Sequence, residues 1–316
     1  MRQVEVTLPA TTANLGPGFD CLGLALGLYN RVTLTAVFAP EVPSAELAAG
    51  ARLVTISGEG AGTLPTDAGN LVARAAEAVF QKAGIRPAKL RITQHNDIPV
   101  GSGLGSSAAA TLGGILAANA LVGGRLTDEE LLWLATEMEC HPDNVVPAFY
   151  GGLTLAVVDD GRLHVERIHM RPMEVVIVLP EFELATAAAR AALPEFVPLA
   201  DAVFNLGRVG LVMCALERSD FGRLSLAMQD RLHQPYRLPL IPGMEEAFTA
   251  ARDAGAAAVA LSGAGPSVIA FTEHDHAAIA SAISWAFAQA GLAARSWILP
   301  IDDRGCRVDE RPAATQ

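Results

Sequence analysis

A glycine-rich segment at residues 99–109 has the clearest chemical signature in this chain. Three glycines alternate there with small or apolar residues, and two serines then open an alanine-rich run that continues to Leu121. Glycine has no Cβ, so the backbone can turn sharply and approach a ligand closely. The first N–H groups of a following helix lack intrahelical partners and carry the positive end of its dipole. The segment therefore predicts a phosphate-binding site, with a tight strand-to-helix connection as the alternative.

The two commonest nucleotide-binding loops do not match this segment. A Walker A sequence would continue with Gly-Lys-Ser/Thr, but the nearest lysine, Lys89, lies upstream on a predicted strand. A dinucleotide fingerprint would need G-x-G-x-x-G and a ribose-binding acid at a set distance, and neither is present. A phosphate site here would therefore depend on main-chain amides.

Two other glycine-containing segments place polar or small residues among apolar neighbours. Residues 9–26 contain Asn14 and Asp20. Residues 261–268 are similar in composition to the glycine-rich segment at residues 99–109, which we call the central loop. Buried polar groups must be hydrogen-bonded, so Asn14 and Asp20 either cap local turns or face a ligand.

A dense polar cluster lies at residues 139–148, where Glu139, His141, Asp143 and Asn144 fall within six positions. Mg²⁺ prefers oxygen ligands, usually one or two carboxylates with substrate phosphate and water, and Glu139 with a loop serine would suit it. Zinc is disfavoured because His141 has no second His or Cys at ligand spacing.

Hydrophobic periodicity predicts the elements that must position these segments. Strands are predicted at Val4–Leu8, Tyr29–Phe38, Leu53–Ser57, Lys89–Asn96, Leu153–Val158, Arg162–Ile168, Val175–Leu179, Ala257–Leu261, Val268–Thr272 and Ala294–Leu299. Helices are predicted at Asn70–Ala83, Ala108–Leu121, Thr127–Glu139, Ala200–Glu217, Phe221–Met228, Gly243–Ala254 and His276–Ala290. A capping box between Thr127 and Glu130 and a C-cap at Gly84 bound two of them. Pro40–Gly50 is predicted as a loop and Arg304–Gln316 as a frayed tail.

Length and composition indicate a two-domain α+β protein. The chain has 316 residues, 51% of them apolar and 18% charged. That length exceeds the usual size of a domain with a single hydrophobic core, so we predict two domains, at residues 1–155 and 156–316. Sheet-rich and helix-rich segments mix along the chain, which predicts α+β layers in both halves.

Charge and cysteine usage exclude several classes of partner. The net charge is −11 with no basic cluster, so nucleic acid is not expected. The four cysteines are far apart, which is typical of reduced thiols rather than of disulfides or a metal site. The N-terminus lacks the apolar core of a signal peptide, and no uncharged stretch reaches membrane length, so we expect a cytoplasmic protein without a membrane partner.

Four motifs, in this order, resemble the GHMP kinases. They are P-A-T-T-A-N-L-G-P-G-F-D, P-V-G-S-G-L-G-S-S-A-A, E-C-H-P-D-N and S-G-A-G-P-S. The resemblance runs from Val6 to Ala270. It implies an N-terminal domain with a left-handed β-α-β unit, a C-terminal ferredoxin-like domain, and a homodimer.

The resemblance also implies an ATP-dependent phosphotransferase. The signature H-P-D-N-V-V-P-A-x-x-G-G and residues 229–237 favour the side-chain hydroxyl of L-homoserine as the acceptor, as in threonine biosynthesis. A kinase for a mevalonate-type alcohol and a non-catalytic nucleotide-sensing homologue are the alternatives.

Site residues follow from the same resemblance. ATP is expected to contact Asn70, Pro99, Val100, Gly101, Ser102, Gly103, Leu104, Gly105, Ser106, Ser107, Ala108 and Ala109. Mg²⁺ is expected on Glu139 with Ser106 or Ser107. The acceptor is expected to contact Asn14, Asp20, His141, Asp143, Thr186, Arg190, Arg237 and Gly263, with the two arginines clamping its carboxylate. Cys140 stands where the family usually has glycine.

Asn144 carries a mechanistic implication. Several relatives place an aspartate there as a catalytic base, whereas an amide cannot accept the hydroxyl proton. We therefore hypothesise that catalysis by Asn144, Glu139 and Ser107 uses no conventional base and depends on positioning and charge stabilisation.

Overall fold

The computed structural model describes residues 1–38 and 52–312. Over that range the strands are β1 (Arg2–Ala13), β2 (Leu22–Val37), β3 (Arg52–Gly58), β4 (Lys89–Asn96), β5 (Leu153–Asp159), β6 (Arg162–Ile168), β7 (Glu174–Pro180), β8 (Ala258–Leu261), β9 (Val268–Phe271), β10 (Ala294–Pro300) and β11 (Arg307–Pro312). The helices are α1 (Leu71–Ala83), α2 (Ser106–Leu121), α3 (Asp128–Glu139), α4 (Val145–Tyr150), α5 (Thr186–Ala191), α6 (Leu199–Arg218), α7 (Phe221–Ala227), α8 (Gln234–Arg237), α9 (Met244–Asp253) and α10 (His276–Gln289).

Most of the described strands belong to one mixed sheet, built from the first half of the chain together with β6 and the C-terminal strand β11. Its strands run in the order β11-β1-β2-β4-β3, with β5 added on β2 and β6 on β5. Every pairing is antiparallel except β3 with β4, which run parallel because α1 connects them. This is the β-α-β unit of the expected fold, and its left-handedness stays a prediction.

Helix α2 is the centre of the first core. It is buried on nearly every side because it packs on β1, β2 and α1 at once. Two adjacent glycines permit this close packing: a Cβ on Gly113 would meet the Val32 side chain, and one on Gly114 would meet the Val72 carbonyl. The position of this helix matters for the site, since its first turn carries the two serines of the central loop.

The second sheet contains four described strands in the order β10-β7-β9-β8, all antiparallel. Chain order is β7, a group of helices, β8, β9, α10, β10, which is the β-α-β-β-α-β arrangement of ferredoxin-like domains. Helices α9 and α10 supply Phe248, Ile283 and Phe287 to its core. The predicted α+β class with two layered halves is confirmed.

Two features of the second half differ from the sequence prediction. The tail predicted as frayed from Arg304 contains β11, which pairs with β1 along Arg307–Pro312. Its edge position on the first sheet could not be read from local periodicity, because the partner strand lies about three hundred residues away. Residues 313–316 and the predicted loop at Pro40–Gly50 lie outside the described residues.

The predicted domain boundary at 155/156 falls inside β5. Strands β5 and β6 both pair within the first sheet, so the change from one sheet to the other comes between Ile168 and Glu174. The sequence offered no composition shift there. A boundary at 155/156 would divide β5 between the two domains, and the exact division of the chain into domains stays a prediction.

Helix α6 is, within the described ranges, the one helix long and apolar enough to cross a membrane by length and composition. Only 22% of its most apolar stretch is buried. The helix includes Asp201 and Arg208, in keeping with the absence of an uncharged stretch of membrane length. One such helix is weak support for a membrane span. Several apolar side chains on α6 or just before it are exposed, including Phe196, Leu199 and Leu206.

Glycine packing gives a matched pair of stability predictions. Gly114→Ala should lower the free energy of unfolding by about 1–2 kcal/mol, because overpacking against the Val72 carbonyl outweighs the helix propensity of alanine. Gly207→Ala on α6 should raise it by about 0.5–1 kcal/mol, since nothing lies within 4 Å of the added Cβ. Urea unfolding of both variants checks this, and a stabilised Gly114→Ala would contradict the packing described.

Candidate active site

A cavity of about 330 Å³ opens where the glycine-containing loops of the two halves meet. Of the residues predicted from the sequence, those that line it are Asn14, Asp20, Gly101, Ser102, Gly103, Gly105, Ser106, Ser107, Ala108, Glu139, His141, Asp143, Asn144, Thr186, Arg190, Arg237 and Gly263. All predicted acceptor and metal positions are therefore brought together.

Five predicted nucleotide contacts do not line the cavity: Asn70, Pro99, Val100, Leu104 and Ala109. Asn70 is the informative case. Its side chain caps α1 by accepting from the Val72 N–H, accepts again from Gln94, and donates to the Pro65 carbonyl. A buried amide must find partners, and here the scaffold supplies them. Its neighbour Leu71 lines the cavity, and the adenine contact of Asn70 stays a prediction.

The central loop presents main-chain amides at the start of α2. Gly101, Gly103 and Gly105 all have positive φ, between 66° and 79°, a region that glycine adopts without strain. The Ser102 hydroxyl donates to the Pro99 carbonyl and accepts from the Leu104 N–H, which fixes the turn from inside. Gly105 is the N-cap of α2 and no side chain caps that helix. The first-turn N–H groups are thus available to an anion.

The two other glycine-containing loops hold the central loop in place. The Ser262 hydroxyl donates to the Gly103 carbonyl at 2.7 Å, and the Ser267 N–H donates to the Ser102 carbonyl at 3.2 Å. Asn14 Nδ2 donates to the Gly263 carbonyl at 2.8 Å. A Cβ on Gly103 would collide with the Ser262 carbonyl, so glycine is needed at this crossing.

Glu139, at the end of α3, faces the serines of the central loop. Its Oε1 accepts from Ser107 Oγ at 2.9 Å and from Thr111 Oγ1 at 2.6 Å. In the described residues no group of three or more His, Cys, Asp and Glu side chains could hold a metal ion by itself. One carboxylate with neighbouring hydroxyls does fit Mg²⁺, which takes its remaining ligands from phosphate and water.

A hydrogen-bonded chain fixes the amide of Asn144. Thr11 Oγ1 donates to Asn144 Oδ1 at 2.8 Å, and Asn144 Nδ2 donates to Asp143 Oδ1 at 3.3 Å. The same Asp143 oxygen accepts from His141 Nδ1 at 2.8 Å. This hydrogen bond raises the pKa of His141, against the opposing effect of its burial. Position 144 therefore presents an amide to the cavity and not a carboxylate.

Asp20 and Arg190 are paired with each other. Both guanidinium Nη atoms donate to the Asp20 carboxylate, at 2.9 and 3.0 Å, and both side chains are part-exposed. Both residues were predicted as acceptor contacts, Arg190 as part of a clamp on the carboxylate, and their pairing with each other was not predicted. In the structure the two charges compensate each other, and both residues line the cavity.

Arg237 is in a different situation, with only 2% of its surface exposed. Its Nε donates to the Ala189 carbonyl at 3.3 Å, and its Nη1 to the Gly263 carbonyl at 3.4 Å. It makes no ion pair with any residue that the structure describes, and burial lowers its pKa. Charged side chains are seldom fully buried without a counter-ion, so this guanidinium is suited to an anionic ligand.

Comparison with known proteins identifies the family. The model for the GHMP kinases N terminal domain matches residues 70–152, and the model for the GHMP kinases C terminal matches residues 213–294. A homoserine kinase from Moorella thermoacetica is 47% identical over 288 residues, covering 91% of this chain and 93% of that protein. The chain belongs to the GHMP kinase family.

Solved structures agree with this assignment. A homoserine kinase from Cytophaga hutchinsonii superposes on this GHMP kinase with a TM-score of 0.84 at 32% identity, covering 97% of both chains. A mevalonate kinase from L. major, solved with R-mevalonate, has a TM-score of 0.69 at 18% identity and shares the fold alone. The two-domain GHMP kinase fold is thus confirmed.

Sequence reasoning missed several side chains that shape the site of this GHMP kinase. Thr11 orients Asn144, Thr111 holds Glu139, and Ser262 connects the loops. Thr11 and Ser262 lie inside the glycine-containing segments at residues 9–26 and 261–268. Their position in those segments could therefore have indicated that they belong to the site. Thr111 lies one helical turn after Ser107, and that spacing on one face of α2 could have indicated it.

The His141–Asp143 contact predicts a pH-dependent stability. The folded pKa of His141 lies above its usual value, so the contact contributes fully below about pH 6.5 and is lost as the pH rises through the folded pKa. The unfolding free energy of the wild type should therefore exceed that of His141→Gln by more at pH 5.5 than at pH 8.5. Urea unfolding at both pH values measures it.

The matched control is His164→Gln, whose side chain is exposed on β6. A wild-type advantage over His141→Gln that is constant, or that grows with pH, would contradict the assigned ion pair.

Proposed function

We propose that this GHMP kinase transfers the γ-phosphoryl group of ATP to the side-chain hydroxyl of L-homoserine, giving O-phospho-L-homoserine and ADP. The observation that carries the proposal is the set of homoserine kinases at 38–47% identity that align with 91–98% of this chain. The charges in the cavity support it, because an amino acid needs both an anionic and a cationic subsite. Relatives of this similarity do not favour a mevalonate-type substrate or a nucleotide sensor.

The nucleotide half of the proposed site uses the main chain. Amides of residues 101–107 and the positive end of the α2 dipole would bind the triphosphate. Glu139, with Ser106 or Ser107, would hold Mg²⁺, since the carboxylate already faces the Ser107 hydroxyl. When bound, Mg²⁺ supplies positive charge that offsets the charge on the phosphoryl oxygens.

The acceptor half uses side chains. Arg237 would bind the substrate carboxylate, because its guanidinium is buried without a counter-ion among the described residues. Asp20 would bind the ammonium group, and Arg190 would keep contact with Asp20 while its remaining N–H groups reach the carboxylate. Asn14, Thr186 and Gly263 complete this half of the cavity.

The amide of Asn144 would hold the acceptor hydroxyl in line with the phosphoryl group. Thr11 donates to the amide oxygen and Asp143 accepts from Nδ2, so the second Nδ2 hydrogen would donate to the acceptor hydroxyl. An amide orients a hydroxyl oxygen without removing its proton. Because the transition state of phosphoryl transfer is loose, the hydroxyl needs little activation, and the proton leaves late to solvent or to the phosphoryl group.

We also propose a cytoplasmic, homodimeric enzyme, as the likeness to the family implies. Analytical ultracentrifugation measures the assembly state directly.

The proposed substrate is tested by coupled ADP release with homoserine, mevalonate and galactose. Turnover should depend on homoserine and should be absent with the other two, because neither carries the ammonium group that Asp20 would bind. ATP binding without turnover on any of the three would favour a nucleotide sensor. Turnover on mevalonate in preference to homoserine would refute the acceptor assignment.

The absence of a conventional base predicts a moderate effect of Asn144→Ala. Loss of a positioning contact should lower kcat by about 10- to 1000-fold while the shape of the pH–rate profile is kept. Thr11→Val leaves the amide in place but frees its orientation, so its loss should be smaller. A pH-dependent decrease of about a million-fold for Asn144→Ala would contradict the hypothesis, since a loss of that size is at the upper scale of a base and a positioning contact acting together.

A further inference from the structure

His233 lies behind the acceptor subsite and has no part in the function proposed above. Its side chain is completely buried, beside α8 and next to Phe19, whose ring centroid is 5.2 Å away. The residue belongs to the segment Gln229–Arg237, one helical turn before Arg237. A buried imidazole of this kind must have both ring nitrogens satisfied.

The partners of His233 determine its tautomer. Nε2 lies 2.7 Å from the Gly16 carbonyl oxygen and 3.4 Å from Asp230 Oδ2, and neither atom can donate. Nε2 must therefore carry the proton. Nδ1 lies 3.3 Å from Arg237 Nη1, which has no lone pair to offer, so Nδ1 must accept. Only the neutral ring protonated at Nε2 satisfies all of these contacts.

The backbone of His233 is anchored as firmly as its ring. Asp230 accepts from the N–H groups of Leu232, His233 and Gln234, at 2.8, 3.0 and 2.6 Å. Gln234 in turn accepts from the Leu261 N–H, which connects the segment to β8. His233 is therefore a rigid support that faces Arg237.

We propose that His233 is a positioning residue, which accepts a hydrogen bond from Arg237 at Nδ1 and so aims the guanidinium at an acceptor carboxylate. This inference rests on the proposed function, because it takes Arg237 as the carboxylate-binding group. Arg237 has three protein contacts of 3.3–3.4 Å and lies over Phe19 at 5.2 Å. Of these, the His233 contact is the one made by a side-chain acceptor.

Burial and the charge of Arg237 both lower the pKa of His233, while Asp230 and Asp20 act in the opposite direction. Burial is the largest effect, so the ring stays neutral and keeps its acceptor. A proton on Nδ1 would instead place two cations in contact.

Two isosteric variants separate positioning from structure. The amide oxygen of His233→Asn falls near the position of Nδ1 and can accept from Arg237, but the donor to Gly16 is lost. The amide nitrogen of His233→Gln falls near Nε2 and can donate to Gly16, but the acceptor for Arg237 is lost. Each variant loses one buried hydrogen bond, so their urea midpoints should decrease alike.

The Michaelis constants should differ. His233→Gln should raise the KM for homoserine by about 10- to 100-fold, the size of a hydrogen bond to a charged group. His233→Asn should stay within about threefold of the wild type, and for both variants the KM for ATP and the kcat at saturating homoserine should change by less than about threefold. Equal KM changes in the two variants, or none in either, would overturn the positioning role.

A spectroscopic test does not need folded variants or the proposed substrate. In the wild-type protein labelled with ¹⁵N in the histidine rings, His233 should show a protonated Nε2 and an unprotonated Nδ1 from pH 8 to pH 6. The opposite tautomer, or a doubly protonated ring, would overturn the proposal. If the wild type does not turn over homoserine, the proposed function fails. The tautomer measured for His233 still decides, independently of turnover, whether Nδ1 accepts from Arg237.

Discussion

The site depends on the crossing of three loops at Gly103. Three loops meet there: the central loop, the loop at residues 14–21 (the Asn14 loop) and the loop at residues 262–267 (the Ser262 loop). They contact one another through main-chain atoms and short hydroxyl or amide side chains. The Ser262 loop connects β8 and β9 of the second sheet, whereas the other two loops belong to the first half of the chain. The crossing therefore fixes the amides proposed to bind phosphate relative to the proposed acceptor subsite. A one-carbon addition at Gly103 cannot be accommodated without moving backbone, which makes this crossing a constraint on the whole site.

The two halves of the site differ in how they are built. The nucleotide half presents main-chain dipoles on a glycine-rich turn, which bind phosphate regardless of side-chain identity. The acceptor half presents side chains whose geometry is fixed by further side chains, as Thr11 fixes Asn144. A ligand shared by many kinases can be bound by backbone alone. A specific acceptor requires side chains that differ between relatives.

Local sequence patterns predicted the fold well where the signal was local. The α3 capping box and the bounds of β4 and β6 agree with the prediction, because turn chemistry and alternation act over a few residues. Strand β11 and the addition of β5 to β2 depend on pairing across long sequence separations, which periodicity does not report. The residues that line the cavity could be predicted because they lie in motifs. What the sequence could not show was which of them contact each other, as the Asp20–Arg190 pair and the cap formed by Asn70 illustrate.

Arg237 and Arg190 illustrate two ways of preparing a charge for a ligand. Arg190 is half-exposed and paired, so a carboxylate must share its guanidinium with Asp20 and with water, and gains little from the contact. Arg237 is already desolvated by folding, so a carboxylate that reaches it finds a charge whose dehydration has been completed in advance. The free-energy cost of removing water from this guanidinium lowers the stability of the fold. It therefore does not weaken each binding event. A buried cation of this kind must be held by neutral acceptors until the ligand arrives, because a protein carboxylate in the same place would compete with it. The carbonyls of Ala189 and Gly263 and the neutral ring of His233 are acceptors of that type.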